Sequence, residues 1–259
     1  MAEKFKEQAI IIRQEEIADD IYSMWLRTEE IAAHAKAGQF VSVYCNEGSR
    51  LLPRPISICE IDREKGTLRI VYRVVGKGTE EFSKAEAGDS FEILGPLGNG
   101  FPIEEAKGKK VLMIGGGIGV PPMLQTAKEI EGEAIIVSGY RNQDLFLKEE
   151  LESAGTLFIA TEDGSVGTKG NVVDAIRENQ IEADMMFACG PKPMLRALKN
   201  YALEKGIPCW ISMEERMACG IGACLACVCK SKEKDAHSNV KNKRICKEGP
   251  VFLAQEVEF

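Results

Sequence analysis

Five cysteines crowd one short segment, Glu215–Gly249, which reads ERMACGIGACLACVCKSKEKDAHSNVKNKRICKEG. Thiols at such density suit a disulfide framework, a zinc knuckle or an iron–sulfur cluster, unless they are structural thiols gathered by coincidence. The chain holds nine cysteines, an odd number, and its start, MAEKFKEQAIIIRQEEIADD, lacks the apolar core of a secretory leader. A reducing, cytoplasmic setting is therefore expected, and a disulfide framework is the weakest of these readings. Cys219-x4-Cys224-x2-Cys227 followed by Cys246 matches the plant-type 2Fe–2S spacing. The small residues of the GIGA and LA gaps leave room for backbone N–H groups to turn toward an anionic cluster. Zinc is the competing reading, but it usually draws its thiolates from two C-x2-C knuckles, and here there is one. His34 and His237 form no pair of Cys-x-His elements, which excludes a Rieske centre. Cys229 is read as a non-ligand that could compete with Cys227.

A second set of residues could hold a dinucleotide. VLMIGGGIGVPPMLQTAKEI (Val111–Ile130) reads as strand, glycine turn and helix, with Gly115, Gly116, Gly117 and Gly119 in the turn and Pro121 opening the helix. Glycines let a pyrophosphate approach the backbone, and the helix N-terminus supplies N–H groups for the anion. The spacing is not G-x-G-x-x-G, and no Gly-Lys-Ser/Thr follows, so a P-loop is excluded. Taken alone, a glycine-rich turn that binds nothing is the competing reading. FACGPKPML (Phe187–Leu195) ends another apolar run, and it would place Cys189, Gly190 and Pro191 at the same sheet edge. For Cys189 by itself, a small buried thiol at a strand end is an equal reading.

Further upstream, RPISI (Arg54–Ile58) precedes IVYRVVGKGTEEF (Ile70–Phe82). An arginine, a proline and a serine on one strand offer a phosphate contact and a platform for a planar ring. Gly78 and Thr79, at a helix start, offer a second anion contact. Against this stands the ordinary reading: a strand arginine in a salt bridge, and Tyr72 in the core.

The elements that must position these residues fall into three parts. Over 1–102, short runs rich in β-branched and aromatic residues predict strands at Ala9–Gln14, Ile21–Arg27, Gln39–Cys45, Pro55–Ile61, Thr67–Val75 and Asp89–Leu94, an antiparallel barrel or sandwich. A short helix is predicted at Thr79–Ala87, and GPLGNGFP (Gly95–Pro102) as a junction. Over 103–212, strands at Lys110–Gly115, Ala134–Tyr140, Thr156–Thr161, Met185–Cys189 and Pro208–Ser212 alternate with helices at Pro121–Glu131, Asp144–Ala154, Asn171–Asn179 and Lys192–Lys205. That alternation predicts a doubly wound α/β domain with a parallel sheet covered on both faces. The remainder, 213–259, is short for a core of its own and is expected to depend on a metal centre.

The net charge is −7 and no arginine-rich stripe occurs, so a nucleic-acid partner is not expected. No run of about 18 apolar residues is present, so no membrane span is expected.

Together these motifs resemble the ferredoxin–NADP reductase superfamily: a β-barrel with RPxS, an α/β domain opening on GGGIG and closing on CGPxPM. The resemblance implies FAD on the barrel and a nicotinamide dinucleotide on the α/β domain. It implies that Arg54, Pro55, Ile56 and Ser57 contact the flavin and its phosphates, that Val71, Tyr72 and Arg73 line the ring and ribityl chain, and that Gly78 and Thr79 take the pyrophosphate. Ile56 departs from the commoner R-x-Y-S, in which an aromatic stacks on the ring. With the cysteine segment at the C-terminal end, the chain more closely resembles the electron-transfer subunits of type B dihydroorotate dehydrogenases. That family implies a partner subunit carrying FMN, electron flow from dihydroorotate through a 2Fe–2S cluster and FAD to NAD+, a role in pyrimidine synthesis, and a heterotetramer of two copies of each chain. A ferredoxin–NAD(P) reductase of the same superfamily is the nearest alternative, and a zinc-bearing, non-redox nucleotide-binding protein is the alternative from another class. NAD rather than NADP rests on the resemblance, because the strand after the glycine turn ends at Tyr140-Arg141-Asn142 without an acidic residue.

Overall fold

The computed structural model describes residues 3–234 and 239–259, so His237 lies outside the described residues. The chain opens with β1 (Phe5–Ala18), β2 (Ile21–Arg27), β3 (Phe40–Val43), β4 (Arg54–Asp62), β5 (Thr67–Arg73) and β6 (Ser90–Leu97). They close an antiparallel barrel in the order β1-β2-β5-β4-β3-β6. Side chains alternate across the wall, as the period of two requires. Leu68, Ile70 and Tyr72 fill the barrel, while Val71 points out toward the neighbouring sheet.

Two short helices accompany the barrel, α1 (Glu30–His34) and α2 (Lys77–Ser83). The five-residue α1 is too short to show a helical period in sequence. It starts where it does because Glu7, on β1, accepts from the N–H groups of Glu30 (2.8 Å) and Ile31 (3.0 Å). Helix α2 begins two residues before the sequence-based start at Thr79. The Thr79 hydroxyl reaches back to the N–H groups of Val75 (3.0 Å) and Gly76 (3.3 Å), a cap delivered from within the first turn.

The second unit contains β7 (Lys110–Gly116), β8 (Glu133–Tyr140), β9 (Thr156–Thr161), β10 (Thr168–Lys169), β11 (Met185–Cys189) and β12 (Cys209–Ser212), with helices α3 (Pro121–Glu129), α4 (Lys148–Ala154), α5 (Val172–Glu178) and α6 (Lys192–Lys205). The C-terminal segment adds a hairpin, β13 (Val228–Lys230) with β14 (Asn242–Arg244), and a last strand, β15 (Val251–Leu253). The sheet order is β10-β9-β8-β7-β11-β12-β15. Its β7–β12 strands are parallel, and β15 joins the edge antiparallel to β12. The sheet is therefore mixed at its edge, which the sequence reading did not foresee. Three-residue strands such as β15 carry no readable alternation.

Alternation along the sheet strands separates two cores. Val111, Met113, Ile136, Met185 and Phe187 face α3, α4 and the outer wall of the barrel. Leu112, Ile114, Ile135, Val137 and Met186 face α5, α6 and the C-terminal segment. Cys227, Cys229, Ile245, Cys246, Phe252 and Val257 belong to this second core. The C-terminal segment thus borrows apolar cover from the sheet, and a metal centre is not its sole support.

Candidate functional site

The cysteine loop lies over the barrel edge. A Cβ added at Gly220 would stand 3.0 Å from Ser42 Oγ and 3.2 Å from Leu97. Ser42, on β3, is the register partner of Pro55 on β4. Its hydroxyl is fully buried and has no hydrogen-bond partner among the described residues. The loop is also tied from behind: Asn99 N–H donates to Gly249 O (2.6 Å), and its side-chain amide donates to Lys247 O (3.2 Å) and Glu248 O (2.9 Å).

The four sequence-predicted ligands converge as two pairs. Cys219 sits beside Cys224, and Cys227 beside Cys246. The N–H groups of Ala223 (3.3 Å) and Cys224 (3.4 Å) donate to Cys219 Sγ, and the Cys246 N–H donates to Cys227 Sγ (3.4 Å). Burial pushes the Cys219 thiol up, but the N–H groups of Ile221, Cys224 and Ala223 outweigh it and bring the thiol to about 7. The Cys246 thiol, donating to Cys227, brings the latter down to about 6, and Cys246 is raised in turn. The two pairs adjoin, since Cys246 also feels the charge of Cys219. Two adjoining pairs suit a two-iron centre with two thiolates on each iron. Cys229 stands apart: burial raises its thiol to about 11, and its acting neighbours are Glu215 and Lys243.

On the barrel, the β4–β5 ladder runs from Asp62 and Thr67 to Ile58 and Ile70 and stops there. Arg54–Ser57 then pairs with β3, and Val71–Arg73 with β2, so the two segments flank a seam in the wall. The side chains of Ser57 and Arg73 make no hydrogen bond or ion pair among the described residues. The Arg54 guanidinium lies against the start of α2, so close to Gly78 that a Cβ there would stand 2.1 Å from Nε. The first-turn N–H groups of Lys77, Gly78 and Thr79 precede the first helical bond, Glu80 N–H to Gly76 O (2.9 Å), and face the same region as that cation. The Thr79 hydroxyl is committed to its cap, which leaves its N–H for a ligand.

Two residues assigned by resemblance present less than expected. Ile56 is buried in the barrel core. Tyr72 is also a core side chain: it lies flat beside Tyr22 (ring centroids 6.0 Å apart), meets Phe82 edge-on, and donates from its hydroxyl to Gln14 Oε1 (2.9 Å). What Ile56 and Tyr72 offer at the seam is backbone.

The glycine turn lies where the sheet order reverses, between β7 and β11, the crevice that binds ligands in open α/β sheets. Gly115 is paired with Cys189 across the two strands. Gly119 approaches that strand end so closely that a Cβ would stand 2.2 Å from Cys189 O and 2.7 Å from Gly190 N. At Gly116 and Gly190 a Cβ would meet the end of the Met194 side chain at 2.5 and 2.4 Å, a flexible neighbour that can move aside. The Cys189 thiol is raised to about 12 by burial, with Ser212 as its hydrogen-bonding neighbour. A cleft lined by Gly190, Pro191, Lys192, Glu214, Glu215 and Arg216 opens beside the turn toward the cysteine segment, and Lys192 pairs with Glu215 across it. The turn Gly117–Gly119 also touches β5 of the barrel.

Comparison with known proteins decides what this assembly is. The family profile described as the iron-sulfur cluster binding domain of dihydroorotate dehydrogenase B matches residues 214–258. An oxidoreductase NAD-binding domain matches 113–200, and an oxidoreductase FAD-binding domain matches 8–101. The dihydroorotate dehydrogenase B (NAD(+)) electron transfer subunit of Listeria monocytogenes is 45% identical over 96% of this chain and 97% of its own. The chain belongs to the dihydroorotate dehydrogenase B electron transfer subunits. The subunit of that name from Caldanaerobacter subterraneus is 41% identical over 99% of this chain and 100% of its own. A solved chain of an NADH-dependent reduced ferredoxin-NADP oxidoreductase, described for flavin-based electron bifurcation, superposes with a TM-score of 0.87 at 31% identity, covering 97% of this chain and 90% of that one. As a member of this family, the chain is an FAD-, NAD- and iron–sulfur-binding oxidoreductase subunit.

Three residues that lie beside the candidate sites carry no mark in the sequence. Ser42 has no motif around it, and only the strand register brings it beside Pro55 and Gly220. Glu162 and Asp163 are likewise joined to the end of β8 only in three dimensions, through Glu162 N–H to Tyr140 O (3.1 Å) and Asp163 N–H to Arg141 O (3.3 Å). The backbone of this acidic pair thus lies beside a strand end that lacks an acidic residue in sequence, and the Asp163 carboxylate itself accepts from Ser165.

Proposed function

We propose that this chain passes electrons from an FMN-containing dihydroorotate dehydrogenase catalytic subunit to NAD+ in pyrimidine synthesis, in the cytoplasm, within a heterotetramer of two copies of each chain. We assign FAD to 1–102, NAD to 103–212 and a 2Fe–2S cluster to 213–259, a division supported by profile matches that fall within these bounds. One observation carries the reading. Consecutive barrel strands β3, β4 and β5 meet the cysteine loop at Ser42, carry Arg54–Ser57, and meet the glycine turn, so three cofactor sites adjoin across two strand spacings. When bound, the cluster supplies one-electron transfer, and the flavin joins it to hydride exchange with the nicotinamide.

The chain's own work is placement. Cys219, Cys224, Cys227 and Cys246 would hold the cluster, Cys219 lying beside Cys224 and Cys227 beside Cys246. Arg54, with the N–H groups of Gly78 and Thr79, takes the flavin diphosphate. Pro55, Ser57 and Arg73 border the ring and ribityl chain, and Ile56, Val71 and Tyr72 contribute backbone. Gly115, Gly116, Gly117, Gly119, Cys189, Gly190 and Pro191 shape the crevice for NAD, and Glu162 beside Tyr140 disfavours a 2′-phosphate.

Anaerobic co-purification with the catalytic subunit tests the reading. The expected result is dihydroorotate-dependent reduction of NAD+ by a yellow-brown complex that bleaches with dithionite. The ferredoxin–NAD(P) reductase alternative, favoured by the superposition with the bifurcating oxidoreductase, predicts activity with ferredoxin and none with dihydroorotate. Colourless protein rich in zinc would sink both. Within the cysteine set, Cys224→Ser should lose iron and sulfide, while Cys229→Ser should retain both; the reverse pattern would overturn the ligand assignment.

A further inference from the structure

We propose that Arg244 is a positioning residue that raises the reduction potential of the cluster through a single peptide group, with Glu248 opposing it. This rests on the reading of Cys219 as a cluster ligand. Arg244 closes β14, two residues before Cys246, and is 6% exposed. Its Nη1 donates to Gly222 O at 3.0 Å. The same peptide unit, Gly222 C=O to Ala223 N–H, donates from its nitrogen to Cys219 Sγ at 3.3 Å. A buried cation therefore pulls on the oxygen of the peptide whose hydrogen faces the sulfur. Hydrogen bonds in series polarise one another, so the guanidinium strengthens the N–H···S bond. Such a bond favours the more negative, reduced cluster, and hydrogen bonds to cluster sulfurs are a known lever on potential.

Glu248 sets the strength of that pull. Its carboxylate accepts from the Arg244 Nε (3.0 Å), from Nη2 and from the Arg244 backbone N–H (2.7 Å). The guanidinium is thus shared between a carboxylate on one edge and the Gly222 carbonyl on the other. The fork geometry of arginine makes this possible, and a lysine could not reproduce it. Gly222 also needs its glycine: its φ is +85°, and a Cβ would stand 2.7 Å from the Lys247 side chain. The peptide is held in one orientation while the charge acts on it.

The two residues make opposite predictions, which separates an electrostatic role from a structural one. In EPR-monitored redox titrations of the holo subunit, Arg244→Gln keeps a neutral donor to Gly222 and removes the charge. The cluster midpoint should fall by about a factor of ten in the one-electron equilibrium, or about 59 mV. Glu248→Gln removes the carboxylate that accepts from the guanidinium, and the midpoint should rise. Should Arg244→Gln fail to hold a cluster, the rise in Glu248→Gln alone decides. Shifts of one sign in both variants, no shift in Glu248→Gln, or loss of the cluster from both would overturn the proposal. A wild-type chain without a 2Fe–2S signal would instead refute the ligand reading on which it rests.

Discussion

The side chain of Arg54 and the backbone of Gly78 occupy adjoining space: a Cβ at residue 78 would fall 2.1 Å from Nε and 2.4 Å from Cζ of that arginine. Glycine is required here for close approach, since it lets a strand guanidinium rest on the first turn of α2. Charge and N–H groups are delivered together by two segments more than twenty residues apart in sequence.

Gly78→Ala should therefore displace Arg54 without disturbing the barrel core. FAD affinity is expected to fall about tenfold, or ~1.4 kcal/mol, with Arg54→Ala losing at least as much through its charge-assisted bonds. Flavin absorbance per chain after dialysis measures this. Full flavin occupancy in both variants would remove Arg54 from the phosphate site.

Gly119→Ala places a methyl group 2.2 Å from Cys189 O, a backbone atom that cannot swing aside. Overpacking of this kind costs about 1–3 kcal/mol, and the glycine turn must move. The Michaelis constant for NADH in a diaphorase assay should rise about tenfold with flavin content unchanged. An unaltered constant would place the nucleotide elsewhere.

The barrel and sheet are joined by a buried charged group. Arg69, on β5, donates to Ser23 Oγ (2.8 Å), Glu60 (2.7 Å) and Glu150 (3.3 Å), and Glu60 also pairs with Lys128 on α3. Arg69→Met would strip Glu60 and Glu150 of this partner while Lys128 still covers Glu60. The expected loss is about 3 kcal/mol, toward the low end for breaking a buried pair, or roughly 6–12 °C in Tm. Calorimetry on the flavin-loaded subunit checks it, and a change under 2 °C, on the order of the smallest shift per kcal/mol, would show the network to be dispensable.

Thiol reactivity should follow the local N–H groups. In cluster-free protein, backbone N–H groups hold Cys219 at about 7, whereas burial holds Cys189 and Cys209 at about 12 and Cys229 at about 11. The thiolate is the nucleophile, so alkylation accelerates as pH rises through the thiol's own value and then levels. Iodoacetamide should label Cys219 ahead of these three, with its rate rising between about pH 6 and 8. Cys227, though low at about 6, is 2% exposed and should react late. Peptide mapping that found Cys229 or Cys189 labelled first would contradict this order.

The cysteine spacing, the glycine turn and the strand rhythm were legible because each is local. Thiolates that share a cluster within one loop must be spaced to fit it, and a strand followed by glycines and a proline-headed helix folds the same way wherever it is placed. The six barrel strands and five of the parallel strands were readable for the same reason: alternation and apolar runs report burial directly.

Packing between distant segments decided the rest. Tyr72 carried no mark of facing the barrel core rather than a flavin, since alternation gives two faces without saying which is inside. The antiparallel docking of β15, the place of Gly220 over Ser42 and the grip of Arg244 on Gly222 all depend on how the C-terminal segment settles on an edge built from earlier residues. Sequence alone determined which chemical groups the chain carries. The tertiary structure decided how near they lie to one another, because that separation depends on strand register and on a shared core.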